Sequence, residues 1–182
     1  MSIKFTHVIL AILALALPAG AEEIEFCVHQ LLPPGILATG HAFVTWKEPG
    51  KDREGVGLSF ESLVVLSADA KTAEFKLFYS TIPGEIHRVT YPDENYPDND
   101  RHCVNITRAR FNQVQTFIKA KEGQPQPYQL LTQNCINFAK GVWEIATGKI
   151  LNVSVWNPQS LSAEIYRLNR DQRIKAGQAA NF

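Results

Sequence analysis

Three cysteines, Cys27, Cys103 and Cys135, are all that the 182 residues contain. No two form a Cys-x-x-Cys pair, no segment reads His-Glu-x-x-His, and no glycine loop has the spacing that cradles a phosphate. The usual ligand sets for metal, redox and nucleotide chemistry are therefore missing, and no metal or organic cofactor is expected. An excess of charge is missing too. The 18 basic residues match the 18 acidic ones and are dispersed, without the basic stripe of a nucleic-acid binder. After the first twenty-odd residues no apolar run is long enough to cross a bilayer, so no stable membrane insertion is expected. Internal repeats and low-complexity segments are also lacking.

What is present begins with a leader. Lys4 gives a short basic start, Val8 to Leu17 is an unbroken apolar run, and Pro18-Ala19-Gly20-Ala21 ends it with small residues. This pattern predicts a secretory signal over residues 1–21, cleaved near Ala21, followed by one domain over 22–176 and a flexible tail over 177–182. No cysteine follows the cleavage site to carry a lipid anchor. Loss of Lys4 leaves 17 basic residues against 18 acidic, a formal charge of −1. The expected location is periplasmic or secreted; in a eukaryotic route Asn105-Ile106-Thr107 and Asn152-Val153-Ser154 would be glycosylation acceptors. In such an oxidising compartment an odd cysteine count leaves one thiol unpaired. A Cys27–Cys103 bridge would close a long loop, stabilise the fold by about 4 kcal/mol on the chain-entropy model, and leave Cys135 free. The other two pairings stay open at this level.

The first half reads as an antiparallel meander. Ile24 to Val28 is a short strand, and Gly40-His41-Ala42-Phe43-Val44-Thr45-Trp46 alternates, with His41, Phe43 and Thr45 on one face and Ala42, Val44 and Trp46 on the other. Lys47 to Gly55 reads as a hairpin loop, Val56 to Leu66 as the next strand, bent or ended near Glu61-Ser62. Glu74 to Ser80 and Glu85 to Tyr91 read as a pair joined at a Pro83-Gly84 turn. Pro92 to Arg101 is a polar loop whose carboxylates lack the spacing of a calcium loop. Thr107 to Lys121 predicts an amphipathic helix with Phe111, Val114, Phe117 and Ile118 as its stripe, preceded by Cys103 and a loop histidine, His102. Ile150 to Trp156 suggests a short strand, and Asn157-Pro158 opens a last helix with Leu161, Ile165 and Leu168 on one face.

Between these lies Thr132-Gln133-Asn134-Cys135-Ile136-Asn137-Phe138-Ala139-Lys140. Asn134 is a good N-cap, and Cys135, Phe138, Ala139, Val142, Ile145 and Ala146 follow helical spacing up to a stop at Gly148. A thiol in a first helical turn sits near free backbone N–H groups and the positive end of the helix dipole, both of which favour the thiolate nucleophile. The plain alternative is a small apolar residue on a buried helix face. A nucleophilic cysteine needs a base, and of His29, His41, His87 and His102 the strongest candidate is His41, which opens a strand where its ring can face a packed helix N-terminus. His29 ranks second, and His87 reads as a surface or cross-strand residue.

Gly40-His41-Ala42-Phe43-Val44 on a strand, followed far downstream by Tyr128 through Asn134-Cys135-Ile136-Asn137-Phe138-Ala139 on a helix, resembles the circularly permuted papain-like proteins. These are the NlpC-type superfamily, which includes the lecithin retinol acyltransferase relatives. The resemblance implies an α+β fold, an antiparallel sheet or small barrel packed against helices with the histidine strand preceding the cysteine helix. It also implies a thiol hydrolase or acyltransferase with Cys135 as nucleophile, His41 as base, and backbone N–H groups at Asn134 and Cys135 helping to hold the oxyanion. The family's third polar residue falls on the strand after the histidine strand, where Glu61 is preferred over Ser59 because a carboxylate orients an imidazole and stabilises its cation. The second histidine of the acyltransferase type is not found on that strand, which tilts the expectation toward hydrolysis.

Two hypotheses follow. One is an exported cysteine amidase or endopeptidase acting on peptidoglycan peptides, of the producer or of a competitor, with an inhibitor or immunity protein as a possible partner; a lipid or thioester acyl substrate is the variant with the same dyad. The other is a non-catalytic binding module in which Cys135 is inert.

Overall fold

Alternating apolar residues in the first half need a surface to bury, and helices with one apolar face supply it. The structure, a computed structural model, describes residues 23–31, 41–60, 79–90, 100–154 and 159–177. Its strands are β1 (Ile24–Leu31), β2 (His41–Lys47), β3 (Arg53–Phe60), β4 (Ile82–Thr90), β5 (Asp100–Ile106) and β6 (Gln126–Tyr128). The helices are α1 (Arg108–Lys119), α2 (Cys135–Thr147) and α3 (Gln159–Lys175). The strands form one six-stranded antiparallel sheet in the order β5-β1-β2-β3-β4-β6, and the fold is α+β.

One sheet face carries the core. Phe26 and Val28 of β1, Ala42, Val44 and Trp46 of β2, and Val56 and Leu58 of β3 pack with Val114 and Ile118 of α1, Phe138 and Val142 of α2, and Leu161 and Ile165 of α3. Trp46 meets Phe111 edge-on at 5.7 Å, and Phe117 of α1 lies 6.3 Å from Phe138 of α2, ring centre to ring centre. Docking of α3 uses polar contacts as well. Asn169 Oδ1 accepts a hydrogen bond from His102 Nδ1 (2.7 Å), and Asn169 Nδ2 donates to the Arg101 carbonyl (2.8 Å). The buried Glu164 carboxylate accepts the Asn152 N–H (3.2 Å) and pairs with Arg167.

The opposite face is buried at its centre but chemically different. Register places Cys27 beside Thr45, His29 beside Phe43, and Phe43 beside Gly57, which itself faces His87. Cys27 on β1 is bonded to Cys103 directly across the ladder on β5, so Cys135 is the free cysteine.

Several elements differ from the sequence reading. Pro83-Gly84 is not a turn but lies inside β4, where Pro83 pairs with Pro127 and Gly84 with Gln126 of the three-residue edge strand β6. Proline is tolerated there because the ladder is short and at the sheet edge. A side chain at 84 would sit 2.9 Å from both the Ser59 carbonyl oxygen and Tyr128 Cβ. We therefore expect Gly84→Ala to cost about 1–3 kcal/mol in denaturant unfolding, since backbone and not a flexible side chain must give way. An unchanged midpoint would contradict that packing. His102 and Cys103 are not loop residues: they belong to β5, which pairs with β1 along its length. Residues 150–154 form no strand, although Leu151 is buried. Helix α1 starts at Arg108 with Thr107 as its N-cap and ends before the left-handed Gly123. Strand β3 is described as far as Phe60; the rest of the expected strand, Glu61 to Leu66, and the expected pairing partner at 74–78 lie outside the described residues, as do the leader and the residues beyond 177. Among the described residues no helix is long and apolar enough to cross a membrane.

Candidate active site around Cys135

Helix α2 begins with a complete capping box. The Asn134 side-chain oxygen accepts the N–H groups of Ile136 (2.9 Å) and Asn137 (3.3 Å), and Asn137 Oδ1 accepts the Asn134 N–H (3.2 Å). Asn134 Nδ2 donates to the Leu130 carbonyl (2.6 Å), tying the cap to the preceding turn, which is itself closed by reciprocal Gln129–Gln133 backbone bonds of 2.8 Å. At the other end Gly148 adopts φ 70°, the left-handed stop that glycine accommodates, and its N–H bonds the Glu144 carbonyl. Position 134 thus serves as the cap, and its side chain is spent on the helix.

Cys135 follows immediately, 6 % exposed and packed in the core. Burial raises its pKa; the backbone N–H groups of Ala42, Ile136 and Cys135 itself, with the Tyr128 hydroxyl, act against that rise. The phenol of Tyr128 is in turn pushed well above its ordinary value by burial and by the adjoining sulfur. In this conformation Cys135 is a neutral thiol. Donors from three elements nevertheless converge on it: β2 through Ala42, β6 through Tyr128, and the first turn of α2.

His41 is the residue before Ala42, so one peptide separates the strand donor from the candidate base. The two side chains do not meet. Ala42 points into the core with Cys135, while His41 shares the opposite face with Phe43, as strand alternation requires. Its ring lies 5.8 Å from Phe43 and 5.5 Å from His87, and Nε2 is buried without a hydrogen-bond partner. Burial, reinforced by the neighbouring His87, lowers its pKa to about 4. Ser59 bonds His87 Nδ1 at 3.1 Å rather than His41. His87 is itself held below its ordinary pKa by burial, against the pull of Glu85. His29, the second-ranked base, is 3 % exposed, bonds Thr45 Oγ1 at 2.8 Å and stacks on Phe43 at 4.7 Å. Its pKa falls to about 3, through burial and then Arg53 and Arg101.

Sequence reasoning gave two nearby residues no part in the site. Tyr128 gave a weak signal, an aromatic closing the Pro125–Pro127 segment just before the cysteine turn. His87 is the cross-strand residue its mid-strand place suggests, but its position beside His41 depends on the β3–β4 register and could not be read from sequence. The one cluster of metal-ligand types among the described residues, Glu25 with Cys27 and Cys103, contains the disulfide and offers no thiolate. Comparison with protein-family models, curated proteins and solved structures gives no match.

Proposed function

We propose that this protein is an exported cysteine-dependent hydrolase of amide bonds, built on a permuted papain-like domain, with peptides of the cell-wall type as substrate. The observation that carries the reading is the convergence of hydrogen-bond donors from β2, β6 and α2 on the Cys135 sulfur at a capped helix start. Donors so arranged favour the thiolate and the charge that develops on attack. In the productive state His41 takes the thiol proton, and the sulfur attacks the amide carbonyl carbon. The tetrahedral oxyanion is held by backbone N–H groups at the start of α2. The C–N bond then breaks, the imidazolium returns its proton to the departing amine, and water, deprotonated by the same imidazole, cleaves the thioester to a carboxylic acid and free thiol.

A peptide substrate is supported by a cavity of about 220 Å³ at the same end of α2. Gln133, Asn137 and Lys121 give it polar donors, and Phe117, Phe138 and Leu58 give it an apolar wall. Lys121 Nζ lies over the Phe117 ring at 5.2 Å and forms no ion pair with a carboxylate among the described residues, which suits a ligand that carries one.

The second reading, a binding module with an inert cysteine, draws on the burial of Cys135 and its separation from His41. An activated ester such as p-nitrophenyl acetate separates the two. The hydrolase forms an acyl adduct that mass spectrometry locates on Cys135 and that turns over. An inert thiol forms none in the folded protein.

A further inference from the structure

The side chain of His41 occupies a fitted place. Phe43 lies on one side of the ring and His87 on another, with ring centres at 5.8 Å and 5.5 Å. The floor is Gly57: a Cβ there would lie 2.8 Å from His41 Nε2, 3.2 Å from His87 Cε1 and 3.3 Å from Phe43 Cβ. Real Cβ atoms do not approach a ring nitrogen so closely, so the imidazole fits because position 57 has no side chain. Ser59 holds His87 from the far side. The slot gives Nε2 no hydrogen bond, although the atom is buried. A buried nitrogen without a partner is costly, so the slot stores the ring without satisfying it.

Within the described ladders His41 is paired on one side: with Leu31 of β1, whereas the β2–β3 ladder begins at Phe43. Its peptide neighbour Ala42 already donates to the Cys135 sulfur.

We propose that Gly57 and His87 are positioning residues that hold His41 in an unproductive slot on the far face of the sheet, and that activation moves its imidazole across the β2 opening to Cys135. The proposal rests on the hydrolase reading above and adds the control of its base. In the resting protein most copies hold His41 in the slot and Cys135 as a neutral thiol, and the minor population with the ring at the sulfur supplies the His41-dependent reactivity of the wild type. The leaving of the slot, rather than any new group, completes the site.

Filling the slot tests this in a direction that a structural role does not predict. In Gly57→Ala the added methyl competes with Nε2, and alkylation of Cys135 by iodoacetamide at pH 7 should accelerate by about tenfold, the factor that corresponds to about 1.4 kcal/mol. The gain should disappear in Gly57→Ala/His41→Ala. His87→Ala, which removes one wall without adding volume, should accelerate alkylation in the same His41-dependent way and serves if Gly57→Ala fails to fold. Circular dichroism and melting establish that each variant is folded. Folded variants with unchanged or slower alkylation overturn the slot, as does an acceleration that persists without His41, which would mean general loosening. The hydrolase reading fails differently: there the wild type and His41→Ala alkylate at the same rate before any slot residue is touched.

Discussion

Acidification from pH 7 to pH 4 should remove on the order of 6 kcal/mol of folding stability through two histidines alone. His29 and His41 have folded-state pKa values lowered to about 3 and about 4 by burial, with Arg53 and Arg101 adding to the first and His87 to the second. The unfolded chain binds a proton at each near pH 6.5, so between 6.5 and the folded values it holds more protons than the native state. Stability is therefore complete above about pH 6.5 and falls as the pH drops, by about 3 kcal/mol per histidine at pH 4 on the usual 1.4 kcal/mol per unit. His87 and His102 shift in the same direction. Glu48, held low chiefly by Arg108, and Glu164, held low chiefly by Arg167, begin to lose their contribution only below the ordinary carboxylate range. Guanidinium unfolding at pH 7, 5 and 4 reads the loss. The double variant His29→Gln/His41→Phe should flatten most of it, whereas a midpoint constant from pH 7 to 4 would mean these rings are solvated.

The second large effect is on turnover. Replacing Cys135 by Ala removes the nucleophile, and hydrolysis of a peptide amide should fall by about 10³-fold or more, to whatever binding and oxyanion contacts alone supply. His41→Ala should cost about 10²–10⁴-fold, the range of a lost general base. Neither change should alter binding of a non-hydrolysed peptide carboxylate in the Lys121 cavity, because neither residue lines it. Turnover that survives both substitutions would point to a different catalytic group.

Local rules made the cysteine helix legible. Asn134, the apolar spacing from Cys135 to Ala146 and Gly148 specify the thirteen-residue helix α2 and both its ends, and the structure has the cap, the buried face and the left-handed stop where those residues place them. Helix α1 was legible in the same way, from periodicity; the odd cysteine count showed that one thiol stays unpaired, and the Cys27–Cys103 bridge of the structure makes it Cys135. Long-range register was not. His87 reaches His41 only through the pairing of β3 with β4, and β5 became a strand because the Cys27–Cys103 bridge and β1 hold a polar sequence that local pattern assigns to loop. Pro83-Gly84 carried a turn signal that tertiary context overrode, since Gly84 is needed where Ser59 and Tyr128 crowd the strand. Strand alternation did separate His41 from Ala42. The apolar side, Ala42-Val44-Trp46, is the one that meets the helices, which places His41 on the far face. The preferred third residue, Glu61, lies outside the described residues, and Ser59, the other candidate, is engaged with His87.

The central claim is that the sulfur of Cys135 and the imidazole of His41 form a working pair. The pH dependence of Cys135 alkylation, located by mass spectrometry in the wild type and in His41→Ala, measures that pair directly. An isolated cysteine ionises near pH 8.5, and burial pushes Cys135 higher in the resting conformation. The account predicts a wild-type reaction that persists well below pH 8.5 and is lost in His41→Ala, where alkylation retreats to the alkaline range of the buried thiol. Identical profiles in both proteins, each rising only above pH 8.5, would contradict it and leave Cys135 as a core residue.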